Sequence, residues 1–185
     1  MSEPPNIRLE PFTPQDIDRL IAWIDTPEAL LQWGGPDLVF PLTRRQILDL
    51  LALAAGPEPS RIIYRITAPA TAEVIGHIEL GAIDQRHRSA RIARVLVAEP
   101  QWRGRGVAGT AITELIELAF GRLGLNRLEL AVFDFNLAAI RCYERLGFQR
   151  EGLRREAERV GDAYWNCCVM GLLAREWAAK SRVPR

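Results

Sequence analysis

The sequence has one lysine, three cysteines and no long apolar run, and these scarcities exclude several classes of protein. Lys180 is the only lysine among 24 basic residues, and 23 acidic residues leave a net charge of +1. This balance gives no reason to expect a nucleic-acid partner. The cysteines provide no disulfide framework and indicate a reducing compartment. Because no apolar run approaches the ~20 residues that cross a bilayer and no export signal is visible, we expect a cytoplasmic protein without a membrane partner.

The length and composition are typical of a single globular domain. The 185 residues are enough to bury a substantial core. We therefore predict one domain over residues 1–185, with residues 1–6 and 176–185 flexible or peripheral. The two histidines, His77 and His87, lack any grouping of metal-ligand residues, so the sequence predicts no metal site.

Apolar periodicity and turn residues divide the chain into helices and strands. The predicted helices lie at 16–25, 27–33, 43–55, 108–119 and 137–146. The predicted strands lie at 7–9, 61–67, 73–80, 91–98, 127–132, 148–159 and 163–173. This order predicts an α/β fold with a mixed, largely antiparallel central sheet and helices on both faces.

The segment 101–106, Gln-Trp-Arg-Gly-Arg-Gly, lies between a predicted strand and a predicted helix. Gly104 and Gly106 allow the backbone to approach a ligand closely, and the start of the helix adds N–H groups and positive partial charge. Arg103 and Arg105 supply full charges to the same ligand. These features predict a phosphate site without the spacing of a Walker or dinucleotide motif. The alternative is a turn that only begins a helix.

A second segment, residues 132–148, reads Val-Phe-Asp-Phe-Asn-Leu-Ala-Ala-Ile-Arg-Cys-Tyr-Glu-Arg-Leu-Gly-Phe. It closely resembles the C-terminal signature of the GNAT family of acyl-CoA N-acyltransferases, and the glycine segment resembles that family's coenzyme A pyrophosphate motif. The resemblance covers roughly residues 7–175. Residues 75–80 and 151–173 look most like the branch that acts on ribosomal-protein N-termini, polyamines and related amines.

The resemblance implies acetyl-CoA as the co-substrate and assigns its binding residues. The pyrophosphate is expected on the backbone N–H groups of Arg103, Gly104, Arg105, Gly106, Val107 and Ala108. Pantetheine is expected along the backbone of Leu96, Val97 and Ala98, where the fourth strand of the family's sheet splays from the fifth. Asn136 matches a position that contacts the coenzyme, although a helix N-cap alone also explains it.

Tyr143 lies seven residues after Asn136, two helical turns along the same face. The resemblance implies that this tyrosine protonates the departing thiolate. A phenol with a pKa near 10 is protonated at neutral pH and suits this role. A core tyrosine on an amphipathic helix is the alternative.

The general base and the acceptor site are less clearly marked. Many family members carry a glutamate in the fourth strand, whereas residues 89–94 of this chain contain no carboxylate. Glu79 is the best substitute. Three roles are open for it: a general base, an anchor for a cationic amine, or a solvated strand residue. In the last two cases, a chain of water molecules takes the proton of the amine instead. Trp33 and Asp37 fall where the family builds its acceptor wall, with Trp33 as a core residue the alternative. Glu79 and Asp37 favour a cationic acceptor, whereas the absence of clustered glutamates near Trp33 argues against a polyamine.

The resemblance therefore implies an acetyl-CoA-dependent N-acetyltransferase that uses a primary amine of a small molecule or peptide. Direct attack in a ternary complex is expected, because no cysteine stands where a covalent acyl-enzyme would need it. The alternative is a non-catalytic acyl-CoA-binding sensor or scaffold with the same fold. Whether the protein forms a homodimer is left open.

Overall fold

The computed structural model of the chain describes residues 5–181. Its strands are β1 (Arg8–Pro11), β2 (Ile62–Ala68), β3 (Glu73–Asp84), β4 (Ser89–Val97), β5 (Arg127–Phe133), β6 (Gln149–Val160) and β7 (Ala163–Leu173). Its α-helices are α1 (Ile17–Trp23), α2 (Pro27–Gly34), α3 (Arg44–Ala52), α4 (Val107–Glu117), α5 (Leu137–Leu146) and α6 (Ala174–Ser181).

The seven strands form one sheet in the order β1-β2-β3-β4-β5-β7-β6. Every neighbouring pair is antiparallel except β4 and β5, which are parallel. The α/β fold with a mixed, largely antiparallel sheet is therefore confirmed.

Helices cover both faces of this sheet, as the sequence predicts. Side chains of α4 and α5 share one apolar core with Ile62 and Tyr64 of β2. Side chains of α1, α2 and α3 share a second core with Ile63. Because successive side chains of a strand point to opposite faces, the two cores lie on opposite sides of the sheet.

Helix α5 begins and ends where its sequence predicts. The side chain of Asn136 accepts a hydrogen bond from the N–H of Ala139 at 3.2 Å, which satisfies one of the free donors of the first turn. Gly147 adopts the left-handed conformation after the last turn, with φ of 107°. These two ends fix the position of Tyr143 along the helix.

The C-terminal region contains a helix that the sequence pattern does not predict. Residues 176–181 belong to α6, and the Glu176 carboxylate accepts a hydrogen bond from the Leu173 N–H at 2.9 Å near its start. Trp177 packs against the first core. Residues 1–4 and 182–185, also predicted to be flexible or peripheral, lie outside the described residues. Between residues 5 and 181, no helix combines the length and apolar character that crossing a membrane requires.

Strands β4 and β5 pair over only three residues. Ser89–Arg91 face Arg127–Glu129, and the two strands form no further pair with each other beyond these residues. Farther along β4, Arg94 has a φ of 52°, and the register between β3 and β4 shifts at this point. An extra residue of this kind bends a strand and ends regular pairing. The bend accompanies a gap between β4 and β5, which is the splay that the resemblance implies.

Candidate active site

A cleft of about 1040 Å³ occupies this gap and continues between the glycine segment and α2. It brings together most of the residues that the sequence predicts for a site, from α2, β4, α4, α5 and the loops between elements. Those that line it are Trp33, Asp37, Leu96, Val97, Arg103, Gly104, Gly106, Val107, Ala108, Asn136 and Tyr143. Three predicted residues, Glu79, Ala98 and Arg105, do not line it.

The glycine segment forms the positively polarised end of the cleft. Gly104 and Gly106 have φ of 72° and 87°, a left-handed conformation that favours glycine. Helix α4 starts directly afterwards, and its first turn closes with the Thr110 N–H bonded to the Gly106 carbonyl at 3.0 Å. The N–H groups before Thr110 therefore have no acceptor inside the helix. Together with the helix dipole, they form a site suited to phosphate oxygens.

The two arginines of this segment take different positions. Arg103 donates from Nε to the Val97 carbonyl at 3.0 Å and from Nη2 to the Ala98 carbonyl at 2.6 Å. It fastens the loop to the end of β4 and also lines the cleft. The Arg105 side chain is exposed and makes no contact with the cleft. Its predicted contact with phosphate therefore stays a prediction.

The backbone of Ala98 is already paired. Its N–H donates to the Ile75 carbonyl at 2.9 Å, and its carbonyl accepts from Arg103. Both backbone groups of Ala98 are thus engaged within the protein, and its contact with pantetheine stays a prediction. Leu96 and Val97 line the cleft, and both lie in the part of β4 that does not pair with β5.

Tyr143 and Asn136 lie on the opposite wall, both on the cleft face of α5. Tyr143 is 9% exposed, its ring contacts Phe148 edge-on, and its hydroxyl has no hydrogen-bond partner in residues 5–181. Burial, and to a lesser degree Cys142, raises the pKa of Tyr143 above its usual value of 10. The phenol therefore stays protonated at neutral pH and is available as a proton donor.

Glu79 lies in a position that its sequence pattern does not predict. The residue is 1% exposed, and its carboxylate is bonded by Arg61, by Arg94 Nη1 at 2.9 Å and by His77 Nε2 at 2.9 Å. Burial acts to raise the pKa of Glu79, but the hydrogen bond from His77 and the charges of His77, Arg94 and Arg61 outweigh it and lower the pKa to about 2. We call these four residues the Glu79 cluster.

This environment argues against all three roles expected for Glu79. Glu79 is not a solvated strand residue, because α1–α3 cover this face of the sheet and bury its carboxylate. A carboxylate with a pKa of about 2 is also a weak acceptor for the proton of an amine. As an anchor for a cationic acceptor, Glu79 is unsuited too, because two guanidinium groups already neutralise it and it does not reach the cleft.

Arg94 connects the Glu79 cluster to the acceptor wall. Its Nη2 donates to the Gly34 carbonyl at 3.2 Å, and the indole Nε1 of Trp33 donates to the Arg94 carbonyl at 3.0 Å. The guanidinium carbon also lies 5.8 Å from the centre of the Trp33 ring. The end of α2 is thereby held against the bend in β4. The sequence carries one signal for this residue, an arginine within an apolar strand, and it gives no indication of the partners.

Trp33 is a core residue that also lines the cleft, and its role in an acceptor wall stays a prediction. It is 8% exposed, belongs to the second core and lines the cleft. Asp37 is exposed at the edge of the cleft. Residues 5–181 contain no group of three or more His, Cys, Asp or Glu side chains arranged to hold a metal ion.

A sheet with one diverging parallel pair, a helix start at the gap with the geometry of a phosphate site, and a protonated tyrosine inside the gap are typical of an acyl-CoA-dependent transferase. Comparison with known proteins gives the family, because residues 6–149 match the family model described as Acetyltransferase (GNAT) domain. The chain belongs to the GNAT acetyltransferase family.

Individual relatives agree with this assignment. The chain is 30% identical over 150 residues to the uncharacterized N-acetyltransferase YoaA of Bacillus subtilis, covering 80% of this chain and 82% of the relative. It is 30% identical over 141 residues to the putative ribosomal N-acetyltransferase YdaF of the same species, covering 76% and 70%. A crystal structure of spermidine N-acetyltransferase from Vibrio cholerae, in complex with CoA and spermine, shares the fold with a TM-score of 0.80. Its sequence identity is 22%, over 93% of this chain and 98% of that chain.

Proposed function

We propose that this chain transfers an acetyl group from acetyl-CoA to a primary amine of a small molecule or a peptide. The observation that supports this most strongly is that the glycine segment, the free edge of β4 and Tyr143 all line the same cleft. Acetyl-CoA supplies the activated acyl group, and the amine supplies the nucleophile.

The residues of the cleft divide the reaction between them. The N–H groups at the start of α4 bind the pyrophosphate, and Leu96 and Val97 hold the pantetheine along β4. The amine nitrogen attacks the thioester carbonyl, and an unpaired backbone N–H of β4 stabilises the oxyanion of the tetrahedral intermediate. As the C–S bond breaks, Tyr143 donates its proton to the sulfur. Its pKa, raised by burial, keeps the proton in place until that step.

The proton of the amine leaves through water in this proposal. Glu79, the acid first expected to accept it, is buried and bonded to three side chains. Asp37 is the predicted acid that lines the cleft, and it lies at the exposed edge. A water chain from the acceptor end to the solvent therefore replaces a dedicated carboxylate base.

A non-catalytic acyl-CoA sensor with the same fold is the competing hypothesis. We expect release of free thiol from acetyl-CoA that depends on an added amine, measured against a panel of amino acids, peptides, aminoglycosides and polyamines. We expect intersecting lines in double-reciprocal plots, because both substrates bind before the chemical step. Parallel lines would contradict direct attack. Acetyl-CoA binding without amine-dependent release on any member of the panel would favour the sensor.

The relatives leave the acceptor open. YdaF is named a putative ribosomal N-acetyltransferase, and the Vibrio cholerae structure holds spermine. These acceptors differ in size and charge, so the family alone does not choose between them. A cytoplasmic location, a homodimer and the absence of a metal or nucleic-acid partner remain predictions from the sequence.

A further inference from the structure

The acceptor end of the cleft carries buried positive charge. Arg61 and Arg94 both line the cleft, and their side chains are only 15% and 5% exposed. Both guanidinium groups pair with one carboxylate, that of Glu79. Two positive charges against one negative charge leave the Glu79 cluster with an excess of at least one positive charge, whichever form His77 takes.

Arg61 has a donor free for a ligand. Its Nη1 bonds to Glu79, whereas its Nη2 has no hydrogen-bond partner among residues 5–181 and is not among the enclosed atoms. Small residues leave room beside it, since Gly81, Ala82 and Ala93 line the same part of the cleft. A Cβ at Gly81 would lie 2.9 Å from Arg61 Nη1, so the absence of a side chain there lets the guanidinium lie against β3.

Arg94 contributes charge rather than a hydrogen bond. Its Nη1 and Nη2 are taken by Glu79 and Gly34, and its Nε is enclosed. The charge nevertheless acts on a ligand beside Arg61, because charges in a region of low dielectric are weakly screened.

The acids of the cleft do not cancel this excess. Asp25 and Asp37 are exposed, where water and salt weaken their effect on a buried ligand. Glu158 lines the cleft from β6 together with Arg154, which lies on the same face of that strand and offsets its charge.

We propose that the acceptor carries a carboxylate beside its amine, and that Arg61 Nη2 binds this carboxylate with the charge of Arg94 behind it. The substrate class is an amino acid, or another small molecule with an amine and a carboxylate close together. A second ammonium group at this position would meet the excess positive charge, which disfavours a polyamine. This inference rests on the proposed transfer to an amine and names the acceptor of that same cleft.

The test compares each amino acid of a panel with its own amide, in which the carboxylate is neutral. We expect kcat/KM to be about 10- to 100-fold higher for the best acid than for its amide, as for a hydrogen bond to a charged group. Greater nucleophilicity of the acid does not explain such a preference. The α-amine of a peptide-like amide has a pKa of about 8, so at neutral pH it is less protonated than the α-amine of the free amino acid. Equal rates for acid and amide, or a preference for a diamine, would overturn the proposal.

Variants of Arg61 assign the preference to this residue. Arg61→Met is expected to remove it through a higher KM for the acid, with little change for the amide. Arg61→Lys keeps a positive charge and is expected to retain part of the preference for the acid. Arg45→Met is the matched control, since Arg45 is an exposed arginine of α3 outside the cleft. A preference that survives Arg61→Met would overturn the proposal.

Failure of the transfer reaction itself remains distinguishable from failure of this inference. If no acceptor is acetylated, the proposed function is wrong, and the same pairs are compared by their effect on the melting temperature of the CoA-bound protein. A larger increase with the acid than with the amide, abolished by Arg61→Met, would still support the carboxylate site. Equal effects would overturn it.

Discussion

Replacement of Tyr143 by phenylalanine is expected to lower kcat about 100-fold or more, with little loss of affinity for acetyl-CoA. The variant loses only the hydroxyl, which has no hydrogen-bond partner in the described part of the chain and faces the cleft. Its loss therefore leaves no protein group unpaired. General-acid catalysis by a positioned side chain contributes roughly 10²–10⁴-fold, and the departing thiolate would then take its proton from water.

Steady-state kinetics and calorimetry with acetyl-CoA measure the two quantities separately. Tyr164→Phe is a matched control, because Tyr164 is an exposed tyrosine of β7 that does not line the cleft. We expect this control to keep the wild-type kcat. A wild-type kcat in Tyr143→Phe would show that Tyr143 is a core residue without a chemical role.

Replacement of Glu79 by glutamine is expected to destabilise the protein by about 3–5 kcal/mol, as for other buried ion pairs from which one partner is removed. Glutamine keeps the shape of the side chain but leaves Arg61 and Arg94 without a counter-charge in the Glu79 cluster. For a domain of this size, the melting temperature would fall by roughly 6–20 °C. The measurement is thermal unfolding at pH 7.

The pH dependence separates charge from packing. The pKa of Glu79 is about 2 in the folded state, below its ordinary value of 4.5. The stabilisation by its charge is therefore present above about pH 4.5 and is lost as the pH falls toward 2. The stability difference between wild type and Glu79→Gln should shrink over this range.

A matched control for Glu79 lies on the surface of the sheet. Glu151 pairs with Arg127 and is 40% exposed, so Glu151→Gln should cost no more than about 1 kcal/mol. A loss of stability in Glu79→Gln as small as that of Glu151→Gln would contradict a buried carboxylate held by three side chains.

The sequence predicts the order of elements because its signals for them are local. Apolar spacing indicates that α5 is a helix, and the Asn136 cap and Gly147 indicate where it begins and ends. The glycine segment likewise predicts its own conformation, since Gly104 and Gly106 both adopt positive φ. Helix α6 was missed because part of its stability comes from Trp177, which packs against a distant part of the chain.

The position of Glu79 was not predictable in the same way. Alternation along β3 suggests one buried and one exposed face, but α1–α3 cover the second face and bury both. Its partners lie outside β3, Arg61 directly before β2 and Arg94 within β4, and the bend at Arg94 changes the register between β3 and β4. The hydrogen bonds from Arg103 that occupy the carbonyls of Val97 and Ala98 depend on how the loop folds back on the strand. Such contacts have no local signal.

Calorimetric titration with acetyl-CoA tests the central claim, that the segment 103–108 binds this co-substrate, most directly. We predict that the wild-type protein binds, that Gly106→Val loses at least about tenfold in affinity, and that Gly161→Val binds normally. Both glycines have positive φ, 87° and 60°, so the two variants carry similar backbone strain, whereas only Gly106 lies in the cleft. The strain is about 1–2 kcal/mol, which a domain stable by 5–15 kcal/mol tolerates. Absence of binding to the wild type, or equal affinity in all three proteins, would contradict the claim.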